Sequence, residues 1–239
     1  MQMKYLNSYR LTSRGFTLIE MAIVLMIVGL LLGGLLVPLS AQMDQRNNSA
    51  TQKALSEIKE AIFGYALANG RLPCPAKANI ATGSLNAGMV DCTLTTGVLP
   101  WATLGVNETD AWGNRYTYGV TSTFADATDG TGASCGVTTG VSFQLCSVGN
   151  LNVLSTAGGQ TIAVNVPAVV ISHGKHAAGA WTPQGTQLPV SSDPSEADNS
   201  NGGTTYVSMT TPTATFDDLV VWISPDILYN RMVSAGKLP

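Results

Sequence analysis

Charge is scarce in this chain. Only 11% of its 239 residues are Asp, Glu, Lys or Arg, and the formal net charge is −3. Past Lys77 the cations are Arg115, Lys175, Arg231 and Lys237 alone. No basic patch can form from so few, so nucleic acid is not an expected partner. Histidine occurs twice, at 173 and 176, within a glycine-rich stretch. That supply is too thin for a Ser/His hydrolase, and no enzyme is expected. The four cysteines, at 74, 92, 135 and 146, include no Cys-x-x-Cys pair, so zinc held by cysteines is not expected either. No internal repeat is evident.

Long apolar runs are absent too, with one exception. Residues 16–39 are apolar apart from Thr17 and a single carboxylate, Glu20. As a helix they extend about 36 Å at ~1.5 Å per residue, against a hydrocarbon core of about 30 Å. Lys4, Arg10 and Arg14 precede the run, and no acid occurs before Glu20. The positive-inside rule therefore keeps the leader cytoplasmic and sends the rest to the periplasm. A charge at mid-bilayer costs roughly 2.5–3.5 kcal/mol, which makes Glu20 a functional residue by default. Gly29, Gly33, Gly34 and Pro38 predict a helix that kinks or loosens between Gly33 and Pro38. An ordinary secretory signal, cut to start at Gln42, fits poorly. Its apolar region is shorter, Leu39 is a poor residue two places before Ala41, and Glu20 would have no role.

The basic leader, Gly15, Phe16 and Glu20 inside an apolar run together resemble the class III signal of type IV pilins and of the pseudopilins of type II secretion. The resemblance covers about the first 40 residues. It implies cleavage between Gly15 and Phe16 by a prepilin peptidase, which then methylates Phe16. It also gives Glu20 a partner, the freed amine of Phe16 on a neighbouring subunit, and a role in setting axial register. The implied divisions are a leader (1–15), a transmembrane and assembly helix (16–39) and a periplasmic head (40–239). Removing the leader takes the net charge to about −6, a weakly acidic surface.

The head's organisation follows from its own pattern. Leu55, Ile58, Ile62 and Tyr65 fall at helical spacing, so the helix continues over 42–69 and stops at Asn69-Gly70 and Pro73. Residues 70–110 are a loop-rich connector. Short β-rich runs follow at 115–120, 141–146, 168–172, 204–209 and 219–223, with polar loops at 121–140 and 173–203. Apolar residues in 226–238 suggest a terminal helix. The fold class is α+β: a long N-terminal helix packed on an antiparallel sheet with long loops. An even cysteine count beyond an anchor suggests an oxidising compartment. Three pairings are open. The local one, Cys74–Cys92 with Cys135–Cys146, closes short loops and is the expected one.

Asp110-Ala111-Trp112-Gly113-Asn114-Arg115-Tyr116-Thr117-Tyr118 resembles a segment of major pseudopilins that leads into the first strand after the connector. The residues also explain themselves as a turn, with Asp110 accepting from turn amides. Those pseudopilins bind calcium in a late loop, and Ser172-His173-Gly174 and Asp217-Asp218 resemble its landmarks. Asp193, Glu196 and Asp198 lie between them. This loop is longer than the family's and lacks its tight acidic spacing, so a solvated acidic loop is expected and no cofactor. The resemblance thus implies a structural subunit, minor pilin or pseudopilin, made as an inner-membrane precursor. Its partners would be the peptidase, other subunits and the inner-membrane assembly platform. The alternative is a minor pilin acting as an adhesin, DNA-uptake or substrate-binding module through its loops.

Overall fold

The computed structural model describes residues 15–126 and 140–238, with the side chains of 33–39 also outside the description. By contact density the chain divides at Gln45 into an N-terminal unit and a head. Helix α1 (Leu18–Asn69) stays helical through Gly33, Gly34 and Pro38, so the expected loosening does not interrupt it. Within the head, its apolar stripe of Leu55, Ile58, Ile62, Phe63 and Ala66 is buried. Gly70 ends it in the left-handed region (φ 70°), its amide donating to Ala66 O at 2.8 Å.

The stripe packs on a four-stranded antiparallel sheet of order β1-β2-β5-β7: β1 (Thr96–Val98), β2 (Thr117–Val120), β5 (Ala168–Ser172) and β7 (Leu219–Ile223). Tyr118, Val120, Ala168, Val170 and Ile223 share the core with the helix. The opposite face carries Val169 and Ile171, buried against a second sheet. That sheet has order β4-β3-β6, from β3 (Leu151–Leu154), β4 (Thr161–Val166) and β6 (Thr205–Val207). The head is therefore helix, sheet, sheet. Central β5 is buried on both faces, which explains its continuous rather than alternating apolar run. Gly119 has no side chain because a Cβ there would meet the Tyr206 hydroxyl of the second sheet.

Short helices complete the chain: α2 (Trp101–Leu104), α3 (Ser122–Ala125), α4 (Pro194–Ser200) and α5 (Pro225–Ser234). The terminal helix docks on α1 through a fork. Arg231 donates to both Glu60 oxygens, at 2.6 and 2.9 Å, while its guanidinium lies 4.1 Å above Phe63.

The α+β class, the helix end, β5, β7 and the terminal helix match expectation. Three points differ. The expected strand at 141–146 is irregular, because its amides bond elsewhere: Ser142 N donates to Gly70 O, and Gln144 N to Ser147 Oγ. The expected single antiparallel sheet is two sheets, and β3 with β6 runs parallel. The loop at 173–203 contains α4, capped by Asp193, whose side chain accepts from Ser195 N.

The connector is fastened at two places. Cys74 and Cys92 form a disulfide. The other expected pair includes Cys135, which lies outside the described residues. Arg115, fully buried, is the second fastening. Its guanidinium donates to Glu108 (2.8 Å), to the carbonyls of Ala78, Ile80 and Pro183, and to Thr82 Oγ1, and it stacks on Trp101 at 4.5 Å.

Candidate functional site

At the chain's N-terminal end, Thr17 and Glu20 form a reciprocal cap on α1. The Thr17 amide and hydroxyl both donate to Glu20 Oε2 at 2.8 Å, and the Glu20 amide donates to Thr17 Oγ1 at 3.3 Å. Thr17 O accepts the first helical bond, from Met21 N at 3.2 Å. This is a capping box, Thr-x-x-Glu. Sequence reading missed it, although the spacing was legible. Beside the cap, Gly15 has nothing within 4 Å of where a Cβ would sit and no positive φ. The fold itself therefore does not require glycine there. Phe16 is 81% exposed, and the large apolar side chains from Leu18 to Leu32 are exposed with it.

In the head, buried polar groups gather where β5 ends and β2 and β7 begin. Asp110 Oδ1 accepts from the amides of Trp112 and Asn114, each at 3.0 Å, confirming the expected turn. Its Oδ2 accepts from Ser172 Oγ at 2.6 Å. Burial raises the Asp110 pKa, and these hydrogen bonds offset part of the rise. Next in line, His173 Nε2 pairs with Thr117 Oγ1 at 2.8 Å, and its Nδ1 faces Asp218 Oδ1 at 3.7 Å. Asp218 Oδ2 accepts from Asn199 Nδ2 at 2.7 Å, and Asn199 also clasps the backbone of Val207.

Beyond Asp218 a second cluster reaches the surface. Asp217 Oδ2 accepts from the amides of Lys175 (2.8 Å) and His176 (3.1 Å). Gly174, with φ 57°, permits this approach, since a Cβ there would lie 2.6 Å from the Asp217 carboxyl carbon. His176 Nδ1 sits 3.2 Å from Asp217 Oδ1 and 3.4 Å from Glu196 Oε1. Burial raises the pKa of both carboxyls.

The three acids singled out for calcium are not gathered into one group. Asp193 caps α4 and accepts from Thr215 Oγ1, while Asp198 accepts from Asn201 Nδ2 at 3.3 Å. Among the described residues, the acid and histidine ligand atoms that converge belong to His176, Glu196 and Asp217. Sequence reading named Glu196 as a candidate ligand and Asp217 only as a landmark of the same loop, and it gave His176 no ligand role, since the three lie far apart in the chain at no telling spacing. It also passed over Gly132-Ala133-Ser134-Cys135-Gly136, which has the spacing of a nucleophile elbow. That pentapeptide lies outside the described residues.

Residues 10–36 match the family model described as the prokaryotic N-terminal methylation motif. The chain carries a prepilin-type signal. No curated protein and no solved structure matches the chain. The prepilin signal contains Gly15, Phe16, Thr17 and Glu20 and none of the head. It is the motif of pilin- and pseudopilin-type subunits, which prepilin peptidase processes and which assemble with other subunits. Among the described residues, no helix is long and apolar enough to cross a membrane. The described apolar side chains of the signal end at Leu32.

Proposed function

We propose that the chain is a structural subunit, a minor pilin or pseudopilin, of a type IV pilus or type II secretion pseudopilus. Prepilin peptidase cuts between Gly15 and Phe16 and methylates Phe16. Residues 16–39 anchor the precursor in the inner membrane, with the head in the periplasm. The assembly platform then draws the subunit into a fibre through its N-terminal helix. The match to the methylation motif over 10–36 carries this reading. Two features support it: a glycine at 15 that packing does not explain, and apolar side chains beyond it exposed to solvent. Exposed apolar surface on that scale calls for lipid or for other subunits' helices. The length of the head and its loops favour a minor subunit.

Mass spectrometry of the mature N-terminus tests the proposal. N-methyl-Phe16 is expected. A mature chain starting at Gln42 would end the reading.

One observation favours a second reading, in which the head is a binding module. A cleft of about 500 Å³ opens between the connector and the 173–203 segment, lined by Lys77, Asn79, Trp181, Gln187 and Asn201 among others. Such a size and mix of ring, amide and ammonium suits a small polar ligand. Substitution of Gln187 and Asn201 by Ala that spares fibre incorporation but abolishes adhesion, uptake or secretion would favour it.

A further inference from the structure

We propose that His176 Nδ1, Glu196 Oε1 and Asp217 Oδ1 form a three-ligand site for a divalent transition metal of the zinc class. The three atoms lie within 4.8 Å of one another. Nδ1 is 3.2 Å from the aspartate oxygen and 3.4 Å from the glutamate oxygen. Ligands about 2.0–2.2 Å from a tetrahedral zinc stand roughly 3.3–3.5 Å apart, so both separations already suit the ion.

Hydrogen bonding alone leaves this cluster incomplete. Glu196 is 2% exposed, and its Oε1 has no hydrogen-bond partner. Asp217 Oδ1 is buried and has none either. Both oxygens point at the same imidazole nitrogen. Nδ1 carries at most one hydrogen and can satisfy one of them, not both. A buried carboxylate oxygen without a partner is costly. A dication between the three atoms would satisfy both oxygens and balance both charges.

The supports of each ligand are independent of the ion. Asp217 Oδ2 is held by two backbone amides, which leaves Oδ1 to face the site. Glu196 rides in the first turn of α4, whose cap Asp193 is tied to Thr215 and whose Asn199 is tied to Asp218 and Val207. Such outer contacts orient metal ligands. The His176 side chain is 42% exposed, so the fourth position opens to solvent and water can fill it. The nitrogen donor and the count of three argue against calcium, which takes about six to eight oxygens. They suit zinc or its neighbours in the first transition row. The ion would pin the turn after β5, helix α4 and the approach to β7 to one another. None of this depends on the fibre reading.

The test uses the full chain in detergent, without a polyhistidine tag and stripped by chelator. Calorimetric titration with zinc should give one ion per chain, and cobalt should give the visible absorption of a tetrahedral complex. His176→Ala removes an exposed ligand at little risk to folding and should weaken zinc binding at least tenfold. Glu196→Gln should weaken it comparably while leaving the melting temperature of the metal-free chain unchanged or higher. No uptake of zinc or cobalt would overturn the proposal. So would zinc binding unaffected by His176→Ala, or calcium binding more tightly than zinc.

Discussion

Glu20 is bound to Thr17 in its own chain: Oε2 accepts from both the amide and the hydroxyl of Thr17, each at 2.8 Å. The carboxylate therefore has a local task, capping α1, before any neighbouring subunit arrives. In the proposed fibre it has a second, pairing with the amine freed at Phe16. The two tasks need different chemistry, since capping needs an acceptor oxygen and pairing needs charge.

Glu20→Gln keeps the acceptor and loses the charge, because glutamine also serves in a capping box. Glu20→Ala loses both. If charge pairing sets axial register, both variants are cleaved normally and both lose fibre incorporation at least tenfold. Tenfold corresponds to about 1.4 kcal/mol, a lower bound, since breaking a buried pair can cost about 3–5 kcal/mol. Wild-type incorporation of Glu20→Gln, measured on sheared fibres, would assign the residue to capping instead.

Arg115→Met should destabilise the head by about 3–5 kcal/mol, the range for breaking a buried ion pair. The carbonyls of Ala78 and Ile80 would lose the guanidinium as donor, and Glu108 and the Pro183 carbonyl would be left with Thr82. A fall in denaturant midpoint at constant m-value checks this. A midpoint within the error of wild type would show that water replaces the guanidinium at little cost.

The pH dependence of stability should carry a mark of Asp110. Burial lifts its folded pKa above the ordinary carboxylate value, so the fold prefers the protonated acid. Its contribution is full below about pH 4 and is lost as pH rises through the raised folded value. Asp110→Asn keeps an oxygen for the Trp112 and Asn114 amides and cannot ionise. Denaturant midpoints across that window should fall for the wild type and stay flatter for the variant.

Replacing Cys74 and Cys92 by Ala should lower stability by about 3 kcal/mol, the chain-entropy value for a loop of this size. The bridge spans 18 residues of a connector with little regular structure. Calorimetric unfolding of the double variant measures the loss. A shift near zero would mean that Arg115 and its partners already hold the connector.

Part of this architecture was local enough to read along the chain. The α1 stripe from Leu55 to Ile62 obeys a helical period, and Gly70 supplies the left-handed residue its end requires. Run β5 is apolar up to Ser172, as a strand buried on both faces must be, and the edge strand β7 is apolar throughout though mostly half-buried. Strand β4 went unread although Ile162, Val164 and Val166 alternate along it; most of the strand is exposed, Ile162 and Val164 included, so the alternation does not mark a buried face. The segment at 141–146 misled for the opposite reason. Val141 and Phe143 are buried as in a strand, but the backbone of Ser142 bonds to a turn at Gly70.

The sequence by itself determined the prepilin signal, because the motif over residues 10–36 is a pattern of residues close together along the chain. It determined likewise which face of the long helix is buried. Only the tertiary structure decided the head's chemistry. His176, Glu196 and Asp217 come from a turn, a short helix and a strand approach, and converge because the β5–β7 pairing and the α4 clasps bring those segments together. Arg115 became a hub in the same way, through carbonyls on two distant loops. Spacing along the chain carries information only where neighbours in sequence are neighbours in space, and in this head they seldom are.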